Sequence, residues 1–167
     1  MSIDPKPVAN STDEMQAQMS DAAARTGPTF FKLEARLPMQ GRADTLMAAS
    51  DTMSVVLKTY AKAGENGLHR HPNEDHVFVV LQGEAVFHGP DGETRHVGKH
   101  EGVLLPHSAL YWFQAGEKEP LVMLRVGADH KTGGDVLDRY DGDGKLMDGF
   151  SEANKEVELI FGDQSFA

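Results

Sequence analysis

Short β-like runs separated by turn residues fill the middle of this chain and restrict what it can fold into. About eight such runs recur every ~8–12 residues, with almost no helical pattern between them. The residues Gly89-Pro90-Asp91-Gly92 are a strong hairpin signal between two of the runs. The pattern predicts an all-β domain, an antiparallel jelly-roll β-sandwich or barrel, over roughly residues 46–128. The clearest runs cover residues 53–62, 76–81, 84–88, 93–97, 103–106, 111–114 and 121–126.

The N-terminal residues differ in composition from this domain. Residues 1–28 are polar and rich in Pro, Ser and Ala, so we expect a flexible tail with one short helix. Ser11 and Glu14 resemble a capping box at the start of that helix. Gly27-Pro28 would end it.

The rest of the chain divides into the barrel and a C-terminal extension. We assign residues 29–130 to the barrel, with its most informative core at 53–126. The extension, residues 131–167, is rich in Gly and Asp. Its apolar run at 157–161 is expected to form a terminal strand, which either packs on the sandwich edge or crosses to a second subunit.

Composition and charge exclude several function classes. The 167 residues suit one domain with tails, and the absence of cysteine excludes disulfides, thiolate metal sites and a cysteine nucleophile. A formal net charge of -10 argues against nucleic acid as a partner. The N-terminus lacks a signal-peptide pattern, and no apolar stretch approaches the roughly 18 residues of a spanning helix. We therefore expect a cytoplasmic protein without membrane contact.

Histidine is the residue type that points to chemistry. Seven of the eight histidines lie between residues 69 and 107. That density predicts a metal or acid–base site in the segment. The alternative for any single one of them is an ordinary surface or core histidine.

The pair His69 and His71 is the centre of this segment. In a strand, residues two apart point to the same face, so the two imidazoles would converge on one point. Such pairs are a recurrent way to hold a divalent metal, although a lone His-x-His occurs often by chance. Here an apolar strand that ends at Gly83 follows the pair.

With these residues the chain resembles the cupin superfamily over about residues 53–126. The first cupin motif has a glycine, His-x-His, a glutamate and a second glycine, and this chain matches it from Gly64 through His69, His71 and His76 to Gly83. The counterpart of the second motif is the stretch 100–113. The resemblance implies a cupin-like jelly roll, a metal site, a small-molecule substrate or ligand and a homodimer.

Several positions depart from the family pattern. Four residues rather than five separate Gly64 from His69, and His76 stands where the motif has glutamate. Tyr111 stands where the second motif has its histidine, and Ser108 replaces a glycine. Two of the four usual ligand positions are therefore kept, His69 and His71.

The resemblance leaves two readings of His76 and of Tyr111. His76 is a third imidazole ligand, as in some metal-dependent cupin dioxygenases, or it hydrogen-bonds at the mouth of a barrel that has lost its metal. Tyr111 lines the cavity beside an open coordination position rather than binding the metal, because a phenol has a pKa near 10. His107 would become a ligand only if its loop bends inward, and a solvent-facing position is the favoured expectation.

A site of three neutral imidazoles has chemical consequences. It suits iron, nickel, copper or zinc, with manganese still open, and it leaves the charge of a divalent ion uncompensated. We therefore expect an anionic or chelating substrate such as a carboxylate, enolate or phenolate. Arg125 would contact such a substrate if it pointed inward, but a surface salt bridge is the expectation.

The residues favour one function and leave two others open. The lead interpretation is a metal-dependent dioxygenase or oxidoreductase acting on a small organic molecule, with His69, His71 and His76 as ligands and Tyr111 orienting or protonating the substrate. The alternatives are a metal-dependent isomerase or lyase and a non-catalytic binding cupin.

Overall fold

The structure is an all-β fold with one α-helix. It is a computed structural model that describes residues 6–167, so residues 1–5 of the predicted tail lie outside it. The helix is α1 (Thr12–Ala23), and a 3₁₀ helix covers Glu152–Asn154. The strands are β1 (Val8–Ala9), β2 (Ala35–Gln40), β3 (Arg42–Ala49), β4 (Met53–Tyr60), β5 (His69–Arg70), β6 (Glu74–Gln82), β7 (Ala85–His88), β8 (Thr94–Val97), β9 (Gly102–Leu105), β10 (Trp112–Ala115), β11 (Leu121–Asp129), β12 (Tyr140–Asp141) and β13 (Ile160–Phe166).

Two antiparallel sheets face each other and enclose the core. The larger has the order β1-β3-β4-β11-β6-β9 and the smaller β10-β7-β8, which confirms the predicted jelly-roll sandwich. Phe113, fully buried on β10, lies at the centre of the core. Its ring centroid is 5.1 Å from that of Phe87, 5.8 Å from that of Phe78 and 5.0 Å from that of Tyr60. These aromatic contacts join the inner faces of the two sheets.

The outer face of the larger sheet is also covered. The predicted helix is present as α1, where the Ser11 hydroxyl accepts a hydrogen bond from the Glu14 amide at 3.1 Å. The helix buries Met15 against Leu46 and Val56 of the sheet. Strand β13 pairs with β2 of the same chain, and this pair covers the rest of the face. No helix among residues 6–167 is long and apolar enough to cross a membrane.

Strand β3 is absent from the predicted runs, although it lies inside the larger sheet. Its sequence contains three alanines, a leucine and a methionine, which favour helix more than strand. A register shift opposite β4 between Leu46 and Ala48 also breaks the simple alternation of buried residues. Pairing with β1 and β4 overrides the local preference.

The C-terminal extension folds over the end of the sandwich where β5 lies. Strand β12 pairs with β5, and the Asn73 side chain donates a hydrogen bond to the Asp135 carbonyl at 2.8 Å. Buried Asn154 accepts a hydrogen bond from the Gly67 amide at 3.1 Å. Arg42 donates to the carbonyls of Gly149 and Asn154, both at 2.8 Å. The domain boundaries at residues 28 and 130 stay predictions, as does the homodimer.

Asn154 offers a test of this attachment. In Asn154→Ala the Gly67 amide loses its acceptor in a buried place, so we expect the free energy of unfolding to fall by about 1–3 kcal/mol. Glu152→Ala, in the same turn but exposed, should change it by less than about 0.5 kcal/mol. Urea denaturation of both variants measures the difference, and equal stabilities would contradict the attachment.

Candidate metal centre

The predicted metal ligands all lie inside the barrel. His69 is on β5, His71 follows it directly, and His76 is on the inner face of β6. Their exposed fractions are 1%, 5% and 2%. Alternation along β6 also buries Glu74 on the same face as His76. The extended chain around β5 points His69 and His71 inward in the same way.

The three imidazoles lie next to one another. The ring centroids of His69 and His71 are 5.0 Å apart, and those of His71 and His76 are 4.4 Å apart. His69 Nδ1 is 2.6 Å from the carbonyl oxygen of Gly67, to which it donates, so the lone pair of the neutral ring is on Nε2. His71 Nδ1 is buried and has no hydrogen-bond partner among the described residues.

Glu74 is the site residue that the sequence analysis missed. Its Oε2 accepts a hydrogen bond of 2.6 Å from His76 Nε2. Candidate ligand atoms of His71, Glu74 and His76 all lie within 4.8 Å of one another, and His69 lines the same cavity without joining this group. Motif spacing drew attention to His76 as the replacement for a glutamate. The strand period of two, which places Glu74 beside His76, was the signal that would have found it.

The position of Glu74 depends on Gly127, which pairs with His76 across β11 and β6. A Cβ atom added at Gly127 would overlap the Glu74 carboxylate. The Ser54 hydroxyl donates to the other carboxylate oxygen at 3.4 Å. A glycine at this strand position therefore leaves the space that the carboxylate fills.

Arg125 corrects one expectation. It was expected in a surface salt bridge, but its side chain points into the barrel and the residue is 7% exposed. Its Nη1 is 4.0 Å from Glu74 Oε2, and its Nη2 donates to the Ser54 hydroxyl at 3.3 Å. Arg125 thus compensates part of the charge of Glu74.

Burial sets the protonation of these groups. Loss of hydration lowers the pKa of His69 and of His71 well below the usual value, and it lowers the pKa of His76 to about 4. Burial alone would raise the pKa of Glu74, but Arg125 and the hydrogen bond from His76 outweigh it and lower that pKa. Near neutral pH the site therefore has three neutral imidazoles and one carboxylate.

Tyr111 lies directly across from His69. Each residue donates its backbone amide to the carbonyl of the other at 3.0 Å, and the ring centroids are 4.6 Å apart. Burial raises the pKa of Tyr111, so its side chain is a neutral phenol. A role of Tyr111 toward substrate stays a prediction.

His107 lies outside the cavity. The residue is exposed, its Nδ1 is 3.3 Å from an Asp75 oxygen, and its ring centroid is 3.6 Å from that of His130. Its loop does not bend inward, so the structure does not bring His107 to His69, His71 or His76.

The cavity between the histidines and the C-terminal extension has a volume of about 40 Å³. Four cationic side chains line it, from Arg42, Lys58, Arg125 and Arg139. Lys58 donates to both oxygens of Asp44, at 2.6 and 2.7 Å. The interior beside the imidazoles is therefore positively charged overall and suited to an anion.

The donor set fits a divalent transition metal. Three neutral imidazoles and a carboxylate are ligands that iron, manganese, nickel, copper and zinc all accept. The buried Nδ1 of His71, which has no hydrogen-bond partner in the part of the chain that the structure describes, indicates a missing partner, since buried polar atoms are normally satisfied. Glu74 also supplies the negative charge that a site of histidines alone would lack.

The lowered pKa values make the metal-free protein sensitive to acid. The unfolded chain takes up a proton at His76 below about pH 6.5, whereas the folded protein does so only near pH 4. The stability from this ring is fully present above pH 6.5 and is lost as the pH falls. As the pH falls from 7 to 5, we expect His76 to lower the free energy of unfolding by about 2 kcal/mol.

Urea denaturation of chelator-treated protein at pH 7, 6 and 5 measures this loss. His76→Gln should give a shallower dependence on pH, whereas His96→Gln, at an exposed ring, should keep the wild-type slope. An unfolding free energy that stays constant from pH 7 to pH 5 would show that the imidazoles are not buried in the neutral form.

Comparison with known proteins places the fold. Residues 56–127 match the model of the Cupin_2 family, described as a cupin domain. A search of curated proteins found no match to this sequence. Many solved structures are similar in fold, all of those described below with less than a quarter of their residues identical.

Three of these structures have TM-scores of 0.50 or more. An RmlC-like cupin from Shewanella frigidimarina NCIMB 400 is 13% identical, with a TM-score of 0.52 over 65% of this chain and 95% of that one. The Cnp3 cupin domain of Schizosaccharomyces pombe is 14% identical, with a TM-score of 0.51 over 55% and 67%. A chain from the crystal structures of the DMSP lyases RdDddP and RnDddQII is 14% identical, with a TM-score of 0.50 over 60% of this chain. The match spans only 52% of that lyase chain.

Proposed function

Because residues 56–127 form a cupin domain and the chain therefore belongs to the cupin superfamily, we propose that it is a metal-dependent enzyme acting on a small anionic molecule. The convergence of His71, Glu74 and His76 inside the barrel supports this proposal most strongly. A homodimer and a cytoplasmic location, expected from the sequence, remain part of the proposal.

His69, His71 and His76 would hold the metal together with the Glu74 carboxylate. His69 is prepared for this role because its hydrogen bond to Gly67 keeps the Nε2 lone pair free. His71 has a buried nitrogen that finds no hydrogen-bond partner within residues 6–167. Ser54 and Arg125 orient the carboxylate. A bound transition metal would supply Lewis acidity and, if it is iron or copper, redox chemistry with dioxygen.

We propose oxygenation as the lead reaction. Two histidines and a carboxylate with open positions are typical of non-haem iron oxygenases, and His71, His76 and Glu74 provide that set. Tyr111, a neutral phenol beside His69, can donate a hydrogen bond to an anionic substrate. Tyr111 is a poor base because it stays protonated. The imidazoles are also poor bases, because their pKa values lie far below neutrality.

One observation favours the isomerase or lyase alternative. Burial lowers the pKa of Lys58 to about 8, in the range where an amine can act as a general base. Lys58 lines the cavity. The opposing observation is its ion pair with Asp44, which holds the ammonium proton.

Metal content is the first test. We expect purified, untagged protein to bind near-stoichiometric transition metal after incubation with each ion, as measured by elemental analysis. His71→Ala and His76→Ala should lose most of it, because each removes a converging donor. Glu74→Gln should weaken binding at least about tenfold. His96→Ala removes an exposed histidine and should retain the wild-type content.

Two results would contradict the metal site. If wild-type protein binds none of the ions, the buried Glu74, His76 and Arg125 form only a structural network, and the non-catalytic binding cupin becomes the better proposal. If His71→Ala and His76→Ala bind metal like the wild type, the metal is held elsewhere in the chain.

Oxygen consumption separates the two reactions. Iron-loaded protein should consume dioxygen in an oxygen electrode when supplied with a panel of small 2-oxo, 3-oxo and 2-hydroxy acids. Lys58→Arg keeps the ion pair with Asp44 but cannot act as a base, so oxygenation should survive it. Turnover of an acid without oxygen uptake, abolished in Lys58→Arg, would instead establish the isomerase or lyase.

A further inference from the structure

We propose that Arg139, in the C-terminal extension, binds a carboxylate group of the substrate inside the cavity. The inference rests on the proposed anionic substrate and names its charged group. Arg139 lies outside residues 56–127, so the match to the cupin family does not include it.

The extension fixes the position of Arg139 at the cavity. The next residue, Tyr140, pairs with Arg70 across β12 and β5, and the carbonyl of Arg139 accepts a hydrogen bond from the Met147 amide at 2.8 Å. The guanidinium lines the same cavity as the histidines. A Cβ atom at Gly149 would lie 3.1 Å from Arg139 Nη1, so the absence of a side chain there leaves room for the guanidinium.

Arg139 lines the same cavity as two residues of the metal site. His69 and Tyr111, whose ring centroids are 4.6 Å apart, lie on the wall of that cavity together with Arg139. Because the cavity has a volume of only about 40 Å³, an anion bound to Arg139 inside it would lie close to both residues.

Each of the other cations in the cavity has a carboxylate nearby. Lys58 pairs with Asp44, with its nitrogen 2.6 Å from an oxygen, and Arg42 Nη2 is 2.7 Å from a Glu156 oxygen. The third pair joins Arg125 and Glu74 at 4.0 Å.

Arg139 differs from these three cations. Among residues 6–167 no carboxylate forms an ion pair with it, and its buried Nε has no hydrogen-bond partner. A guanidinium stays protonated even when burial lowers its pKa, as it does here. Arg139 as a whole is half-buried, and a cation partly withdrawn from water without a counter-ion is costly, so this cation is expected to gain its partner from a ligand.

The charge and shape of the Arg139 guanidinium indicate which kind of anion it would bind. One excess positive charge matches a single carboxylate better than a dianionic phosphate. The planar guanidinium fork matches a planar carboxylate and can form two parallel hydrogen bonds to it. The small cavity also favours a compact group. The barrel would thus hold the metal, and the extension would hold the acid group of the substrate.

Binding of small carboxylates to metal-free protein tests the inference. Formate, acetate and oxalate are titrated into chelator-treated wild type by calorimetry, with sulfate and phosphate as tetrahedral anions. We expect saturable binding of at least one carboxylate. Arg139→Gln should lower the affinity for that carboxylate on the order of tenfold or more. Arg139→Lys keeps the charge but lacks the planar guanidinium, so its affinity should lie between those of Arg139→Gln and the wild type. Arg95→Gln removes an exposed arginine and should bind like the wild type.

Each other outcome overturns the inference. No saturable binding of any carboxylate to folded wild type would do so, as would equal affinities of Arg139→Gln and wild type. Preference for sulfate or phosphate, lost in Arg139→Gln, would replace the carboxylate with a tetrahedral anion. Circular dichroism of Arg139→Gln confirms that the variant folds, and Arg139→Lys serves as the comparison if it does not.

The experiment is independent of the metal. Carboxylate binding that requires Arg139, in a protein that never binds metal, would leave the inference standing and end the proposed enzyme. Metal binding through His71 and His76, with no effect of Arg139→Gln on carboxylate binding, would overturn the inference and leave the proposed metal enzyme standing.

Discussion

The need to compensate buried charge organises the interior of this barrel. Removing an ion from water costs several kcal/mol unless a partner and hydrogen bonds replace the hydration. Lys58 meets Asp44 within the larger sheet, and Arg125 lies near Glu74 across two strands of it. Glu74 therefore has two roles in the fold, as a counter-ion to Arg125 and as the hydrogen-bond acceptor of His76. A metal ion would bind in this network at Glu74, the carboxylate that lies beside His71 and His76.

The pleat of β6 decides which of its side chains join that network. Glu74 and His76 face inward, followed on the same face by Phe78 and Val80, whereas the residues between them face outward. A shift of one residue in register would exchange the two faces and remove both polar groups from the cavity. Gly127 on the neighbouring strand adds a second condition, because any side chain there would occupy the space of the Glu74 carboxylate. Local alternation and one missing side chain place the carboxylate in the cavity, where Ser54 and Arg125 orient it.

These physical causes explain what the sequence could predict. Alternation and turn signals are local, so they predicted the jelly roll, and the spacing of His69 and His71 placed two imidazoles on one face. Arg125 was misplaced because β11 has consecutive apolar residues, which conceal its inward face, and a charged side chain is ordinarily on the surface. Glu74 was missed because motif spacing was given more weight than strand period.

No local sequence pattern could predict what the C-terminal extension contributes to the cavity. Asn154 bonds to Gly67 across 87 positions of the sequence, and Arg139 lines the cavity more than sixty positions after the histidines of the metal site. In our proposal β6 of the larger sheet and the segment around β5 supply the metal ligands, and the extension supplies the charge that selects the substrate. Rigid sheets suit the first task, because ligand atoms must be held at short, fixed distances. Connecting segments suit the second, because they can change the charged group at the cavity without disturbing the sheet beneath it.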